Sequence, residues 1–136
     1  ETPYGEIYKL SLTMFLDNKL FGIGLNNFTS LCNNNETYNN LIKNYDCVSH
    51  PHNIHIQWLV ETGLFGFIFF QLYLIYIVSK IIVKNIHENS IISLTPILIM
   101  FWPIMSTGSL LKNWNGVSSF LIIALCLIVS KIKKVN

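Results

Sequence analysis

Apolar residues are interrupted by many polar ones through residue 57, whereas 58–130 are dominated by Ile, Leu, Phe and Val. Three runs stand out in the second part, at 58–83, 91–105 and 117–130. The first is interrupted early by Glu61 and late by Ser79 and Lys80. Its length suits the roughly 20 residues that a membrane-crossing helix needs. The second contains Pro96 and Pro103, which membrane helices tolerate where neighbours satisfy the freed carbonyls. The second and third reach full span length only with their flanking residues, so a buried helical hairpin is the competing reading. The pattern predicts an all-α chain in three parts. Residues 1–57 form a polar loop region, 58–130 hold about three transmembrane helices, and 131–136 are a short tail.

Within the polar part, Ile7, Leu10, Met14 and Phe15 recur near helical spacing, with Tyr8 and Leu12 beside them. This predicts an amphipathic helix at a membrane surface, ending near Asp17-Asn18. Phe21-Gly22-Ile23-Gly24 reads as a turn, because glycine adopts backbone shapes that other residues avoid. The asparagine-rich stretch 33–40 reads as a loop.

Composition sharpens the division. Hydrophobic residues make up 51% of the chain and charged ones 12%, about half the charged share of a soluble domain. The nine basic residues are scattered lysines with no arginine, which argues against nucleic acid as a partner. Lys80 and Lys84 follow the first apolar run, and Lys131, Lys133 and Lys134 follow the third. Lysine excess marks the cytoplasmic side, and both groups share that side if three crossings lie between 58 and 130. Residues 1–57 and the bridge around Lys112 then share the opposite face, and the C-terminus is cytoplasmic. Trp58, Trp102 and Trp114 fall near the ends of the runs, where aromatic belts sit.

On the extracytoplasmic face disulfides persist. A bond between Cys32 and Cys47 would close the asparagine-rich loop and contribute about 3 kcal/mol. Cys126 falls within the third run and reads as a packing residue. The chain opens without methionine or a signal pattern, and it is expected to be the C-terminal part of a longer protein.

Candidate chemistry concentrates in Ser49-His50-Pro51-His52-Asn53-Ile54-His55, immediately before the first long apolar run. Ser49 or His50 is suited to cap a helix with Pro51 in its first turn. On that helix Asn53, Gln57 and Glu61 recur every fourth residue as one polar stripe. Such a stripe entering a membrane must face water or protein partners. His52 in the first turn would feel the positive end of the helix, which favours a neutral, proton-accepting imidazole. The same end suits a phosphate or diphosphate. Three readings compete: histidines that merely cap and pack, a metal site, and acid–base work by His52. The metal reading is weak because Pro51 interrupts the spacing and no carboxylate or thiolate completes a ligand set.

Three segments resemble the O-antigen ligase and polymerase superfamily of bacterial membrane glycosyltransferases. Asp17-Asn18-Lys19-Leu20-Phe21-Gly22-Ile23-Gly24, with Asn27-Phe28, is similar to the family's Pro-Leu-Phe-Gly-Val-Gly segment. His50-Pro51-His52-Asn53, followed by Gln57, Glu61-Thr62-Gly63 and Gly66, resembles its His-Pro-His-Asn segment. The spacing from His52-Asn53 to Gly63 fits that of ligases. Trp102-Pro103 through Ser109 and Asn113-Trp114 resembles the polar turn between the last spans.

The resemblance implies a multi-pass inner-membrane enzyme of lipopolysaccharide biosynthesis, of which this piece alone would be inactive. It would move a glycan from undecaprenyl diphosphate to lipid A–core or another glycan acceptor, among membrane lipids and with neither cofactor nor metal. His52 is then the catalytic base, Asn53, Gln57, Glu61 and Lys112 contact substrate, and Gly22, Gly24, Gly63 and Gly66 are structural. Ligation of O-antigen to lipid A–core leads. A polymerase or a protein oligosaccharyltransferase shares these motifs, and a non-catalytic polysaccharide-export or scaffold protein is the reading from another class. The family relies on periplasmic arginines, yet Gly5-Glu6 stands where a Gly-Arg pair is expected. Lys9, Lys19, Lys43 and Lys112 are the available cations, and Lys112 shares the membrane face of His52.

Overall fold

The computed structural model describes residues 2–42, 46–82 and 88–131. They form six helices: α1 (Pro3–Asp17), α2 (Phe28–Asn34), α3 (Glu36–Asn39), α4 (Ile54–Ile82), α5 (Glu88–Met100) and α6 (Asn113–Val129). No strand occurs among the described residues. Lys43, Lys84, Lys133 and Lys134 lie outside them.

Helix α1 follows the spacing of its apolar residues. Thr2 caps it by accepting from the Gly5 N–H, and Pro3 occupies the first turn, where a missing N–H costs nothing. Ile7, Leu10, Ser11 and Met14 line its buried face, while Tyr4, Leu12 and Leu16 are exposed. At the far end the Asn18 side-chain amide donates to the Met14 carbonyl, which stops the helix at the expected place.

The stretch 33–40 is not the loop its asparagines suggested. It contains the end of α2 and all of α3. Asn35 separates the two helices, and its side-chain oxygen accepts from the Thr37 and Tyr38 N–H groups. Asparagine therefore acts here as a cap. Tyr38 is buried and donates its hydroxyl to Asp17 Oδ2 at 2.7 Å. Burial first, then Asp17, pushes its pKa up to about 12. Cys32 and Cys47 are bonded, with Cα atoms 5.9 Å apart. The bond ties α2 to the strand of chain that leads into the histidines, and Thr29 Oγ1 donates to the Val48 carbonyl beside it. Replacing both cysteines by serine is expected to cost about 3 kcal/mol. That loss is read as a lower thermal unfolding midpoint in detergent, reproduced by adding reductant to the wild type.

Two apolar cores meet along α4. Leu10, Met14, Phe28, Cys32 and Tyr38 pack with Val60, from the first part of α4. Phe70, Leu74, Ile77 and Ile81, from its second part, pack with Ile97, Phe101, Ile123 and Cys126 of the α5–α6 hairpin. Cys126 is buried and unpaired with another cysteine, as expected of a packing residue.

Helix α4 has 29 residues and is long and apolar enough to cross a membrane. Only 17% of its most apolar window is covered by protein, so it is not a wrapped core helix. Phe65, Phe69, Leu72, Ile75 and Tyr76 are instead exposed, as are Ile91, Ile92 and Ile99 of α5 and Phe120, Leu121 and Leu125 of α6. Helices α5 and α6 are apolar but shorter, at 13 and 17 residues. The 91–105 run departs from expectation in one respect: helix α5 stops at Met100, and the Trp102-Pro103 pair belongs to an irregular segment.

Candidate functional site

The site is organised around a break in α4. Gly63 has φ +66° and ψ −167°, which interrupts the helix two residues after Glu61. The 19–24 segment inserts there and takes over the missing hydrogen bonds. Ile23 N donates to Val60 O at 3.0 Å and Gly24 N to Glu61 O at 2.9 Å. In the other direction Leu64 N donates to Lys19 O at 2.8 Å and Phe65 N to Leu20 O at 3.3 Å. Four backbone groups left open by the break are thereby paired. Gly22 and Gly63 lie against each other where the segments cross. A methyl on Gly22 would meet the Gly63 nitrogen and the Val60 carbonyl at 2.5 Å, and one on Gly63 would strike the Leu20 carbonyl. Gly24 also has a positive φ, +93°, but open space around it. Gly66 faces the Thr62 side chain, which leaves no room for a methyl.

The polar stripe exists, and it faces protein. Helix α4 begins at Ile54, not at Ser49 or His50, and its cap is Asn53. Asn53 Oδ1 accepts from the His55 and Ile56 N–H groups, while its amide donates to the Pro103 carbonyl at 2.7 Å. One turn on, Gln57 Nε2 donates to both Ser109 Oγ (2.8 Å) and Glu61 Oε1 (3.1 Å). Glu61 Oε2 then accepts from Asn26 N at 2.7 Å. All three stripe residues are buried. They pin two distant loops, 19–27 and 101–112, to the start of α4. Glu61→Ala is expected to strand the Asn26 N–H at about 1–3 kcal/mol and to leave the Gln57 amide with Ser109 as its remaining partner. Glu61→Gln keeps one of the two acceptor oxygens and sets its amide nitrogen against the other donor, so its thermal midpoint in detergent should fall between those of Glu61→Ala and wild type.

The three histidines hold different positions. His55 is tied down, with Nδ1 2.9 Å from Gln71 Nε2 and Nε2 3.0 Å from the Phe101 carbonyl. The Phe101 carbonyl can only accept, so it takes the Nε2–H, and Gln71 engages Nδ1, which leaves neither ring nitrogen open. His50 is buried, with Nδ1 2.9 Å from Ser49 Oγ, and Ser49 Oγ in turn accepts from Lys112 Nζ at 3.0 Å. Among the described residues its Nε2 makes no hydrogen bond of good geometry. Burial first, then His52, lowers the His50 pKa, with Lys112 acting in the same direction.

His52 lies outside the helix, two residues before its start, and not in its first turn. Its backbone is left-handed, with φ +55°, and its carbonyl accepts from Thr107 N at 2.8 Å. The ring is half-buried, 4.4 Å from the His50 ring and 6.1 Å from that of Tyr4 on α1. Among the described residues its ring forms no hydrogen bond. The structure thus brings His50, His52, Asn53, Gln57, Glu61 and Lys112 into one region, joined by Ser49, which the sequence suggested as a cap, and by Thr107, Ser109, Asn26 and Tyr4, which sequence reasoning did not assign to the site.

The O-antigen ligase family model matches residues 2–71. The chain belongs to the O-antigen ligase family. No curated protein and no solved structure matches it. The matched segment runs from α1 through the crossing of Gly22 and Gly63 and eight residues beyond it, so it contains the histidines and the whole polar stripe. The 101–112 segment, with Thr107, Ser109 and Lys112, lies outside it. Membership gives an O-antigen ligase-type membrane glycosyltransferase at the level of the family, consistent with a helix able to cross a membrane.

Proposed function

We propose that this chain carries the catalytic end of an inner-membrane enzyme that moves a glycan from undecaprenyl diphosphate to an acceptor hydroxyl, most simply O-antigen to lipid A–core. The observation that carries the reading is the state of His52. Of the three clustered histidines, it alone combines partial exposure with a ring that no described neighbour holds by a hydrogen bond. A free imidazole at the boundary between a polar region and an apolar helix is placed to accept a proton.

In the proposed reaction the acceptor oxygen attacks the anomeric carbon of the lipid-linked glycan. The carbon–oxygen bond to the diphosphate breaks, and undecaprenyl diphosphate leaves with the electron pair. His52 takes the proton of the acceptor hydroxyl and returns it to water after the product departs. Asn53, Gln57 and Glu61 serve substrate indirectly, by fixing the loops around His52. Lys112 is a cation on the same side as His52, where charge developing on the diphosphate needs one.

The membrane arrangement belongs to the same proposal: α4, α5 and α6 cross three times, with residues 1–57 periplasmic and the C-terminus cytoplasmic. The contact between Lys112 and Ser49 supports it, because two crossings return the 101–112 segment to the side of the histidines.

Deletion of the gene, followed by analysis of the glycans, tests the reaction. Ligation predicts long chains stranded on the lipid carrier and bare lipid A–core. Single repeat units attached to core would identify a polymerase instead, and unchanged glycans would remove both.

A further inference from the structure

The contact between Lys112 and Ser49 joins residues 63 positions apart and ends on a buried histidine. A lysine ammonium is only a donor. Ser49 Oγ therefore accepts from Lys112, and its hydroxyl hydrogen is left to give to His50 Nδ1, 2.9 Å away. With Nδ1 accepting that hydrogen bond, a neutral His50 carries its single proton on Nε2. We infer that Lys112 is a positioning residue that, acting through Ser49, fixes His50 in its neutral Nε2–H form against the ring of His52. The pair is thereby made unequal, and His52 is the member that takes the proton. This inference rests on the base role proposed for His52.

The surroundings of His50 support it. Protonating Nδ1 would require Ser49 to turn its hydroxyl away while Lys112 still donates to the same oxygen. It would also set an imidazolium between the Lys112 ammonium, at the start of α6, and the His52 ring 4.4 Å away. The ring is buried, which disfavours any charge on it. The Thr107 backbone pulls the other way by favouring a protonated ring, and it is outweighed by burial and by His52. Tyr4 is the group from α1 against His52, and it meets the ring edge-on. On balance these neighbours leave His50 neutral, whereas His52 is partly exposed.

The test uses the full-length protein in proteoliposomes and follows kcat/KM against pH. The acid limb of that profile reports the apparent pKa of the coupled pair. Lys112→Met removes both donor and charge and is expected to raise the limb by about one pH unit. Ser49→Ala should move it in the same direction, and Lys112→Arg should leave it in place. Histidine 15N spectra should show the Nε2–H form of His50 in the wild type and its loss in Lys112→Met and Ser49→Ala.

If Lys112 instead only binds the diphosphate, Lys112→Met raises KM for the lipid-linked donor with an unmoved limb, and Ser49→Ala is silent. That result overturns the inference. Should Lys112→Met fail to accumulate in the membrane, Ser49→Ala and Lys112→Arg decide alone. Full transfer by His52→Ala would defeat the proposed function, while the 15N spectra would still judge the positioning of His50.

Discussion

Gly63→Val is expected to prevent the full-length protein from accumulating as a folded membrane species, and Gly63→Ala to come close to doing so. Two costs act at one atom. A side chain at φ +66° is strained, at about 1–3 kcal/mol. Its Cβ also strikes the Leu20 carbonyl, and overpacking costs a further 1–3 kcal/mol or so. Leu20 cannot retreat, because its carbonyl accepts from Phe65 N and the adjacent Lys19 carbonyl from Leu64 N. Moving either opens the break in α4 and exposes backbone groups at the edge of the apolar helix. Gly24→Ala is the matched control. Its φ is equally left-handed, but the nearest atom to an added methyl, Asn27 Cβ, is 3.9 Å away, so it carries the strain alone. Membrane accumulation and limited proteolysis of the three variants check this. Equal behaviour of Gly63→Ala and Gly24→Ala would show that the crossing is not the close contact described here.

The sequence made some of this legible. Apolar spacing located α1, and Asp17-Asn18 marked its end, because those are local signals that the fold leaves undisturbed. The glycines at 22, 24 and 63 were readable as structural, but their joint purpose was not. A helix break closed by a loop some forty residues earlier has no signature in either segment alone. The stripe Asn53, Gln57, Glu61 was also plain from its spacing. What it faces depends on Ser109, Pro103 and Asn26, whose approach is tertiary.

Two local readings lost to longer-range bonds. Ser49, His50 and Pro51 satisfy the rules for a helix start. The bond from Thr107 N to the His52 carbonyl belongs to a different conformation, and Asn53 caps α4 instead. The asparagines of 33–40 read as loop formers, yet Asn35 caps a helix that the buried Tyr38 anchors. In both places polar side chains suited to turns serve equally well as caps. Lys112 was a candidate from membrane topology, and its link to His50 through Ser49 was beyond any sequence pattern.

The largest functional effect is expected at His52. Removing a general base slows proton transfer by about 10²–10⁴-fold. His52→Ala should lose that much activity while leaving the fold intact, since the half-buried ring fills no core and forms no hydrogen bond with a described residue. His50 is not expected to substitute: its ring is buried and its Nδ1 is held by Ser49. His55 is excluded by its bonds to Gln71 and Phe101.

The most direct measurement is the initial rate of glycan transfer from undecaprenyl diphosphate to an acceptor by full-length protein in proteoliposomes, wild type against His52→Ala, at equal amounts of folded protein. A loss of at least about a hundredfold, with donor binding retained, is the predicted result. Transfer at the wild-type rate would contradict the assignment of His52 as the base.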